Sequence, residues 1–228
     1  MKKLFLIFYN FFEDYYHLTK IKHFLRANIF FKKPIIFDIG AHKGKLTNLF
    51  YSIYNKALIY CFEPNETLHR YFKARNKNII LSKIAIGDKN EIKSINIKDL
   101  DLTNTFLKEN SNSIYFKLKN FIIKKDKKNL KKKIRVITLN KFCKKNKIKK
   151  IDFMKIDVEG YELMVLKGAS QIIKKVSYIM IEIQKNNMYS NYSEKKIENF
   201  LQKNKFKLIK KFKFPFMFFE DRIYKKGN

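Results

Sequence analysis

Cysteine is scarce in this chain, which has only Cys61 and Cys143 among its 228 residues. The two lie far apart and lack the paired spacing of a zinc site or of a disulfide framework. The sequence therefore excludes a small scaffold held together by disulfides, and a reducing cytoplasm is the expected location.

Long hydrophobic runs are also missing, since no stretch approaches the roughly 20 apolar residues that cross a bilayer. The segment Met1 to Tyr16 has a short apolar run, but Asn10, Glu13 and Asp14 interrupt it and no small-residue cleavage site follows. This pattern favours an amphipathic helix that packs on the domain over a signal peptide. Peripheral membrane contact through this segment and the basic surface is the alternative.

Acidic residues are few: 20 Asp and Glu stand against 51 Lys and Arg, and the formal net charge is +31. A field of this sign attracts nucleic acid, anionic lipid and acidic glycans. Tryptophan is absent, however, and the chain is rich in Lys, Asn, Ile, Phe and Tyr, the residues of A/T-rich codons. Apart from the stretch Lys124 to Lys133 the lysines are scattered, so compositional drift explains much of the charge, which by itself names no partner.

The length and a hydrophobic content of 46% predict one α/β domain. We expect a helical preamble over residues 1–33 and the domain over 34–228. Short apolar runs alternate with segments of helical spacing, which predicts a parallel sheet flanked by helices. Strands are predicted at 35–37, 57–62, 79–84, 92–97, 135–137, 151–156 and 178–183. Helices are predicted at 45–54, 66–74, 139–145, around 163–166, and from the cap Ser193 to Gln202.

Two further segments differ from this alternation. Residues 99–113 are polar and rich in turn residues, and Lys124 to Lys133 is expected to be a solvated basic run. Residues 99–133 are therefore interpreted as an insertion or an acceptor-facing loop. In the tail, the apolar segments 206–209 and 214–224 predict a terminal antiparallel hairpin.

The first motif that carries chemistry is the glycine turn after the first predicted strand. Gly40 lets the backbone approach a ligand without a Cβ in the way, and Gly44 permits tight entry into a helix whose N–H groups can hold a carboxylate. Asp38 can face an ammonium group. An amino acid therefore suits this turn better than a pyrophosphate, and the spacing also differs from the G-x-G-x-x-G fingerprint.

The second motif is Glu63-Pro64 at the end of the second predicted strand, about 20 residues past the glycine turn, where an acidic side chain can bind both ribose hydroxyls. Either motif alone is weak, because glycine turns are common and a Glu-Pro pair more often starts a helix. A site for an amino acid beside a site for a ribose indicates S-adenosylmethionine.

The third motif is Lys155-Ile156-Asp157-Val158-Glu159-Gly160-Tyr161-Glu162, followed by Leu166-Lys167-Gly168-Ala169. Together with Asp38-Ile39-Gly40-Ala41 and Phe62-Glu63-Pro64, it is similar to the FkbM methyltransferase family over about residues 35–184. The resemblance implies a class I (Rossmann-like) methyltransferase fold, a seven-stranded, mainly parallel sheet with an antiparallel C-terminal hairpin and helices on both faces. It also implies S-adenosylmethionine as cofactor and O-methylation of a hydroxyl on a sugar, glycan or other small acceptor.

The resemblance also assigns roles by position. The methionine end of the cofactor falls to Asp38, Gly40, Ala41, His42 and Gly44, the ribose to Glu63 with Pro64, and the adenine to Ile84, Ala85 and Asp88. Two positions depart from the family pattern: His42 stands where Asn is common, and Asn140 stands where Asp usually follows Thr-Leu.

For catalysis, the sulfonium methyl is already electrophilic, so the enzyme mainly has to position the acceptor oxygen. Asp157 is the first candidate to contact the methionine amine or the acceptor, with Glu159 and Glu182 as candidate bases. Glu159 could instead brace the helix that opens at Gly160. Lys155 and Glu162 are interpreted as structural, and no metal is expected, because the three carboxylates lack a histidine or a further acidic partner.

Two other functions stay open. A nucleic-acid methyltransferase would suit the charge, but the sequence has no Asn/Asp-Pro-Pro-aromatic motif, and nucleic acid is not the expected partner. A non-catalytic protein of the same fold in glycan assembly would not need the predicted cofactor residues. The acceptor is expected to meet the preamble, the 99–133 insertion and the C-terminal part.

Overall fold

The computed structural model describes residues 12–72, 76–98, 105–107, 110–113, 117, 129–185, 188–214 and 219–227. Its strands are β1 (Ile35–Ile39), β2 (Leu58–Phe62), β3 (Ile79–Ser82), β4 (Ala85–Ile86), β5 (Glu91–Lys98), β6 (Asn129–Ile137), β7 (Ile151–Ile156), β8 (Val176–Gln184), β9 (Phe206–Lys213) and β10 (Phe219–Lys226). Its α-helices are α1 (Leu18–Asn28), α2 (Lys45–Ile53), α3 (Leu139–Lys145), α4 (Glu162–Gly168) and α5 (Glu194–Lys203). Short 3-10 helices span Glu66–Tyr71 and Ile172–Lys175, and Phe12–His17 form a π-helical turn before α1.

Seven strands form one sheet in the order β3-β2-β1-β7-β8-β10-β9. The first five of these pair in parallel, and β10 runs antiparallel to both β8 and β9. All six side chains of β7 are buried, as expected for a central strand covered by helices on both faces. The predicted class I methyltransferase fold with its antiparallel C-terminal hairpin is therefore confirmed.

A second, three-stranded sheet has the order β4-β6-β5 and corrects two predictions. The strand predicted at 79–84 ends at Ser82, because Ala85 and Ile86 leave the large sheet and pair with Val136 and Ile137. Residues 129–133, which the sequence placed in a solvated basic run, form the first half of β6 and pair with β5. The exposed Lys131 and Lys133 of β6 conceal this strand in the sequence, and Ile134 and Val136 in its second half are buried.

The two faces of the large sheet carry separate hydrophobic clusters. On one face, Ile21 and Leu25 of α1 pack with Phe50 of α2 over Phe153 and Met180. On the other face, α3, α4 and α5 cover the remaining inward side chains of β7 and β8. Of the segment Met1 to Tyr16, residues 1–11 lie outside the described part of the chain.

The C-terminal elements follow the sequence prediction closely. Ser193 caps α5, with its Oγ accepting a hydrogen bond from the Lys196 backbone N–H at 3.3 Å. Arg222 of β10 then ties the hairpin to α5 through Glu194 at 2.5 Å and Glu198 at 2.6 Å. Among the described residues, no helix has the length and apolar character to cross a membrane.

Candidate active site

The glycine turn lies at the carboxyl end of β1, between β2 and β7. Gly40 has φ of +77°, and its N–H and that of Ala41 donate to the Phe62 carbonyl at 3.0 and 3.1 Å. A Cβ built on Gly40 would lie 1.7 Å from the Asp157 carbonyl oxygen. The turn therefore packs directly on the end of β7, and only glycine fits at this position.

Gly44 is the N-cap of α2, with φ of +76°. It has no side chain to bind the orphan N–H groups of the first helical turn, and that turn, Lys45 to Asn48, contains no acidic residue. Neither the N-cap nor the first turn thus supplies an acidic side chain to these N–H groups, which suits a ligand carboxylate.

Asp38 lies beneath the turn, although the sequence analysis places it against a ligand ammonium. Its side chain is completely buried, one oxygen accepts a hydrogen bond from Thr47 Oγ1 at 2.5 Å, and the other lies 3.4 Å from Lys155 Nζ. In this structure Asp38 therefore links β1 to α2 and β7 from below. A direct ligand contact stays a prediction.

Lys155 lies at the centre of the site, in the structural role that the sequence analysis gives it. Its buried ammonium donates to the Gly40 carbonyl at 2.7 Å and lies 3.1 Å from Asp157 Oδ2. Burial opposes the charged form, but Asp157 and Asp38 outweigh it and raise the pKa of Lys155 above its ordinary value. One buried cation therefore holds the glycine turn and both aspartates together.

Glu63 follows β2 and is almost completely buried beside the turn. Its carboxylate accepts hydrogen bonds from the backbone N–H groups of His42 at 2.9 Å and Asn65 at 2.8 Å. Burial raises the pKa of Glu63 to about 7, although both hydrogen bonds favour the ionised form. His42, with φ of +49°, contributes its backbone here, and the half-buried Pro64 continues the chain away from β2.

The residues predicted for the adenine lie beyond β3. Glu63 donates its N–H to the Ser82 carbonyl at 3.2 Å, which places the end of β3 beside the ribose candidate. Ile84 is half-buried, and Ala85 belongs to the second sheet. Asp88 accepts a long hydrogen bond from the Tyr161 hydroxyl at 3.4 Å. Their contact with a ligand stays a prediction.

The predicted catalytic carboxylates lie at the ends of β7 and β8. The Asp157 side chain is 31% exposed. Glu182 is buried and accepts a hydrogen bond from Gln184 Nε2. Burial raises the pKa of Glu182 well above its usual range, and the nearby Asp157 and Glu159 raise it further. The three predicted carboxylates therefore lie close enough for the charges of Asp157 and Glu159 to affect the ionisation of Glu182.

Glu159 occupies the turn between β7 and α4, with φ of +53°. The Tyr189 hydroxyl donates to its carboxylate at 2.5 Å. Glu162 braces this turn from below, because its Oε1 accepts hydrogen bonds from the backbone N–H groups of Val158 and Gly160 at 3.1 and 3.0 Å. The structural interpretation of Glu162 is therefore confirmed.

The described parts of the 99–133 insertion contact this same turn. Thr105 Oγ1 donates to the Glu159 carbonyl at 2.6 Å, and the Asn110 N–H donates to the Met188 carbonyl at 2.9 Å. Phe106 packs on Tyr161 with the ring centroids 5.1 Å apart. Within the described residues, no group of three or more His, Cys, Asp or Glu side chains could hold a metal ion.

The sequence analysis misses Thr47 and Tyr189, and it does not identify the partners of Lys155. A lysine between the apolar residues Met154 and Ile156 of a buried strand signals a buried counter-charge, since a buried lysine needs a partner. Thr47 and Tyr189 carry no such signal, because their partners Asp38 and Glu159 are brought to them only by the fold.

The comparison that decides the family is a match to the model of the methyltransferase FkbM domain, which covers residues 38–208 and so includes all three motifs. The chain belongs to the FkbM methyltransferase family.

Solved structures share the fold of this FkbM methyltransferase at low sequence identity. FkbM from Methylobacillus flagellatus KT has a TM-score of 0.55 and 14% identity over 87% of this chain, which spans 45% of that protein. An rRNA methylase from Streptococcus thermophilus has a TM-score of 0.51 and 10% identity, with 93% of this chain and 97% of that one covered. Magnesium protoporphyrin IX methyltransferase from Synechocystis PCC 6803, solved with bound S-adenosylmethionine, has a TM-score of 0.50 and 12% identity, with 92% and 78% covered. No curated protein sequence matches the chain.

Asn140, where this FkbM protein departs from the family pattern, caps a helix. Its Oδ1 accepts hydrogen bonds from the backbone N–H groups of Gln171 and Ile172 at 3.1 Å each, and its Nδ2 donates to Ser170 Oγ at 3.0 Å. Because these groups open the 3-10 helix Ile172–Lys175, an amide serves this position as well as a carboxylate.

Proposed function

We propose that this FkbM protein is an S-adenosylmethionine-dependent methyltransferase that methylates a hydroxyl group on a glycan or another small acceptor. The observation that carries the proposal is the meeting of three features at one edge of the sheet. These are the glycine turn with the uncapped start of α2, the buried carboxylate of Glu63, and the carboxylates of Asp157 and Glu159 after β7 and of Glu182 near the end of β8. In open α/β sheets this edge is the ligand-binding crevice.

The residues present fit the cofactor. The start of α2 suits the methionine carboxylate, and Asp157, with part of its side chain exposed, suits the amine. Glu63 keeps lone pairs for ribose hydroxyls beyond the two that bind backbone N–H groups. Bound S-adenosylmethionine supplies an electrophilic methyl group on a sulfonium. The missing Cβ at Gly40 lets the turn pack on the end of β7, and the missing Cβ at Gly44 lets α2 start close to the Phe72 ring.

On the acceptor side, Glu182 is the proposed general base. Burial and the nearby Asp157 and Glu159 raise the pKa of Glu182 above its usual range, which makes its ionised form a stronger proton acceptor. The described residues of the insertion lie against Glu159, next to this carboxylate, and would orient the acceptor. Positioning of this kind supplies roughly 7–11 kcal/mol in well-oriented systems.

The first test is calorimetric titration of the protein with S-adenosylmethionine. Replacing Glu63 with alanine is expected to weaken binding about 10- to 100-fold, since a hydrogen bond to a charged group contributes about 1.5–3 kcal/mol. The matched control is Glu66→Ala, which removes an exposed carboxylate three residues further along and should leave binding unchanged. A circular dichroism melt of each variant checks the fold.

Either result of the titration is informative. Loss of binding in Glu63→Ala alone supports the cofactor site and justifies a screen of glycan hydroxyl acceptors. Absence of binding by the intact protein would contradict the enzyme function and favour the non-catalytic protein of the same fold.

Affinity for S-adenosylmethionine is also expected to depend on pH through Glu63. Ribose hydroxyls donate to the ionised carboxylate, so affinity should rise as the pH increases through about 7, the pKa to which burial raises this group. The folded state disfavours ionised Glu63, so its contribution to stability decreases as the pH rises from its ordinary pKa towards 7. Titrations between about pH 6 and pH 8 measure the effect. Glu63→Gln should remove the part of the pH dependence that comes from the Glu63 carboxyl group. An unchanged pH profile would contradict the assignment of Glu63 as the ribose ligand.

A further inference from the structure

A basic groove lies between the start of α1 and the edge strand β9. Its volume is about 710 Å³, and its described lining comprises Tyr16, Thr19, Lys20, His23, Phe24, Lys210, Lys211, Phe212 and Lys213. Four of these residues are lysines and none is acidic. The groove is therefore electropositive in its own right, whatever the origin of the overall charge.

The lysines surround an aromatic floor. Phe24 of α1 and Phe212 of β9 pack edge to face with their centroids 5.7 Å apart, and Lys210 Nζ lies 5.7 Å above the Phe24 ring. At the rim, Lys20 Nζ lies 3.6 Å from the centre of the Tyr16 ring. The ammonium groups of Lys20 and Lys210 therefore lie over aromatic rings in cation–π contacts, and both lysines are exposed at the surface.

Exposed apolar side chains lie on the same strand as the groove and just before α1, outside the groove lining. Leu208 and Ile209 of β9 are each 40% exposed, and Tyr15 before α1 is 72% exposed. Aliphatic side chains beside lysines favour lipid over nucleic acid, because leucine and isoleucine cannot stack on bases or bind phosphate. Exposed tyrosines match the headgroup level of a bilayer.

We propose that this groove and the exposed side chains of β9 form a docking surface for an anionic phospholipid membrane. The lysines bind the lipid phosphates and carboxylates, Ile209 beside Lys210 at the edge of the sheet enters the boundary of the acyl chains, and no covalent step is involved.

The docking surface lies close to the active-site edge of the sheet. Phe212 and Glu182 both pair with Asp221 of β10, so two strand spacings, roughly 10 Å, separate the groove from the proposed base. A docked membrane would therefore present a lipid-borne acceptor near Glu182. This last step rests on the proposed function, whereas membrane docking itself does not.

Vesicle sedimentation tests the proposal without any activity measurement. The intact protein should sediment with vesicles of phosphatidylcholine containing about one third phosphatidylserine, and much less with phosphatidylcholine alone. The double variant Lys210→Gln and Lys211→Gln is expected to lower partitioning about 30-fold. The control, Lys144→Gln with Lys145→Gln, removes the same charge from exposed positions on α3, which covers the opposite face.

A second variant separates lipid from nucleic acid. Leu208→Ser with Ile209→Ser should lower vesicle binding and leave binding to a single-stranded RNA oligonucleotide unchanged. The proposal is overturned if both lysine pairs lower partitioning equally, because the net charge alone would then act. It is also overturned if the serine variant keeps full vesicle binding while the groove lysines control RNA binding. The groove variants should lose vesicle binding and keep the affinity of the intact protein for S-adenosylmethionine. This result would show that membrane docking does not depend on the cofactor site.

Discussion

Replacing Lys155 with methionine is expected to lower the free energy of unfolding by about 3–5 kcal/mol, the cost of removing one partner from a buried ion pair. The ammonium is the only described cation within 4 Å of the fully buried Asp38, and it also binds Asp157 and the Gly40 carbonyl. Methionine fills a similar volume but leaves a carboxylate without counter-charge. Urea denaturation followed by circular dichroism measures the loss.

A double variant separates charge from packing in this cluster. Adding Asp38→Asn to Lys155→Met removes the uncompensated charge and should recover part of the lost stability, since the two residues contact each other and their effects cannot be additive. Lys167→Met, at an exposed position in the last turn of α4, is the control and should change stability by no more than about 0.5 kcal/mol. A loss of less than about 1 kcal/mol in Lys155→Met would show that Asp38 does not depend on this cation.

The elements that the sequence predicts best are those whose signals are local. The segment Ile151 to Ile156 is apolar except for Asp152 and Lys155, and it forms β7 with the predicted bounds. Helix α3 also has the predicted bounds, because Thr138 supplies its cap by accepting from the Lys141 N–H at 3.2 Å. Caps and buried runs depend on neighbours in the chain, so one sequence suffices to find them.

The parts that the sequence does not predict depend on distant pairing. Strand β6 starts at Asn129 within a lysine-rich stretch, and its partner β5 ends at Lys98, so neither half of this pair can be inferred from the other. The site also depends on distant contacts. The motifs identify Glu63 and Asp157, but the hydrogen bond from Tyr189 to Glu159 joins segments 30 residues apart and has no motif of its own. Motifs reveal which residues reach the sheet edge, and only the fold shows which of them support each other.

The proposed base yields the largest expected effect on catalysis. With an acceptor from the hydroxyl screen, Glu182→Gln is expected to lower kcat about 10²- to 10⁴-fold, the usual contribution of a general base. Glutamine keeps the shape of the side chain but cannot take the acceptor proton. Formation of S-adenosylhomocysteine measures the rate, and Glu66→Gln is the control.

The pH profile of kcat distinguishes a base from a residue that only shapes the pocket. Burial and the charges of Asp157 and Glu159 favour the protonated form of Glu182, so the intact enzyme should gain activity as the pH rises through the raised pKa of this group. Glu182→Gln should lose that ascending limb while its affinity for S-adenosylmethionine stays the same. If Glu182→Gln keeps the limb and Glu159→Gln loses it, the proton goes to Glu159, and the bond from Tyr189 would then tune the base.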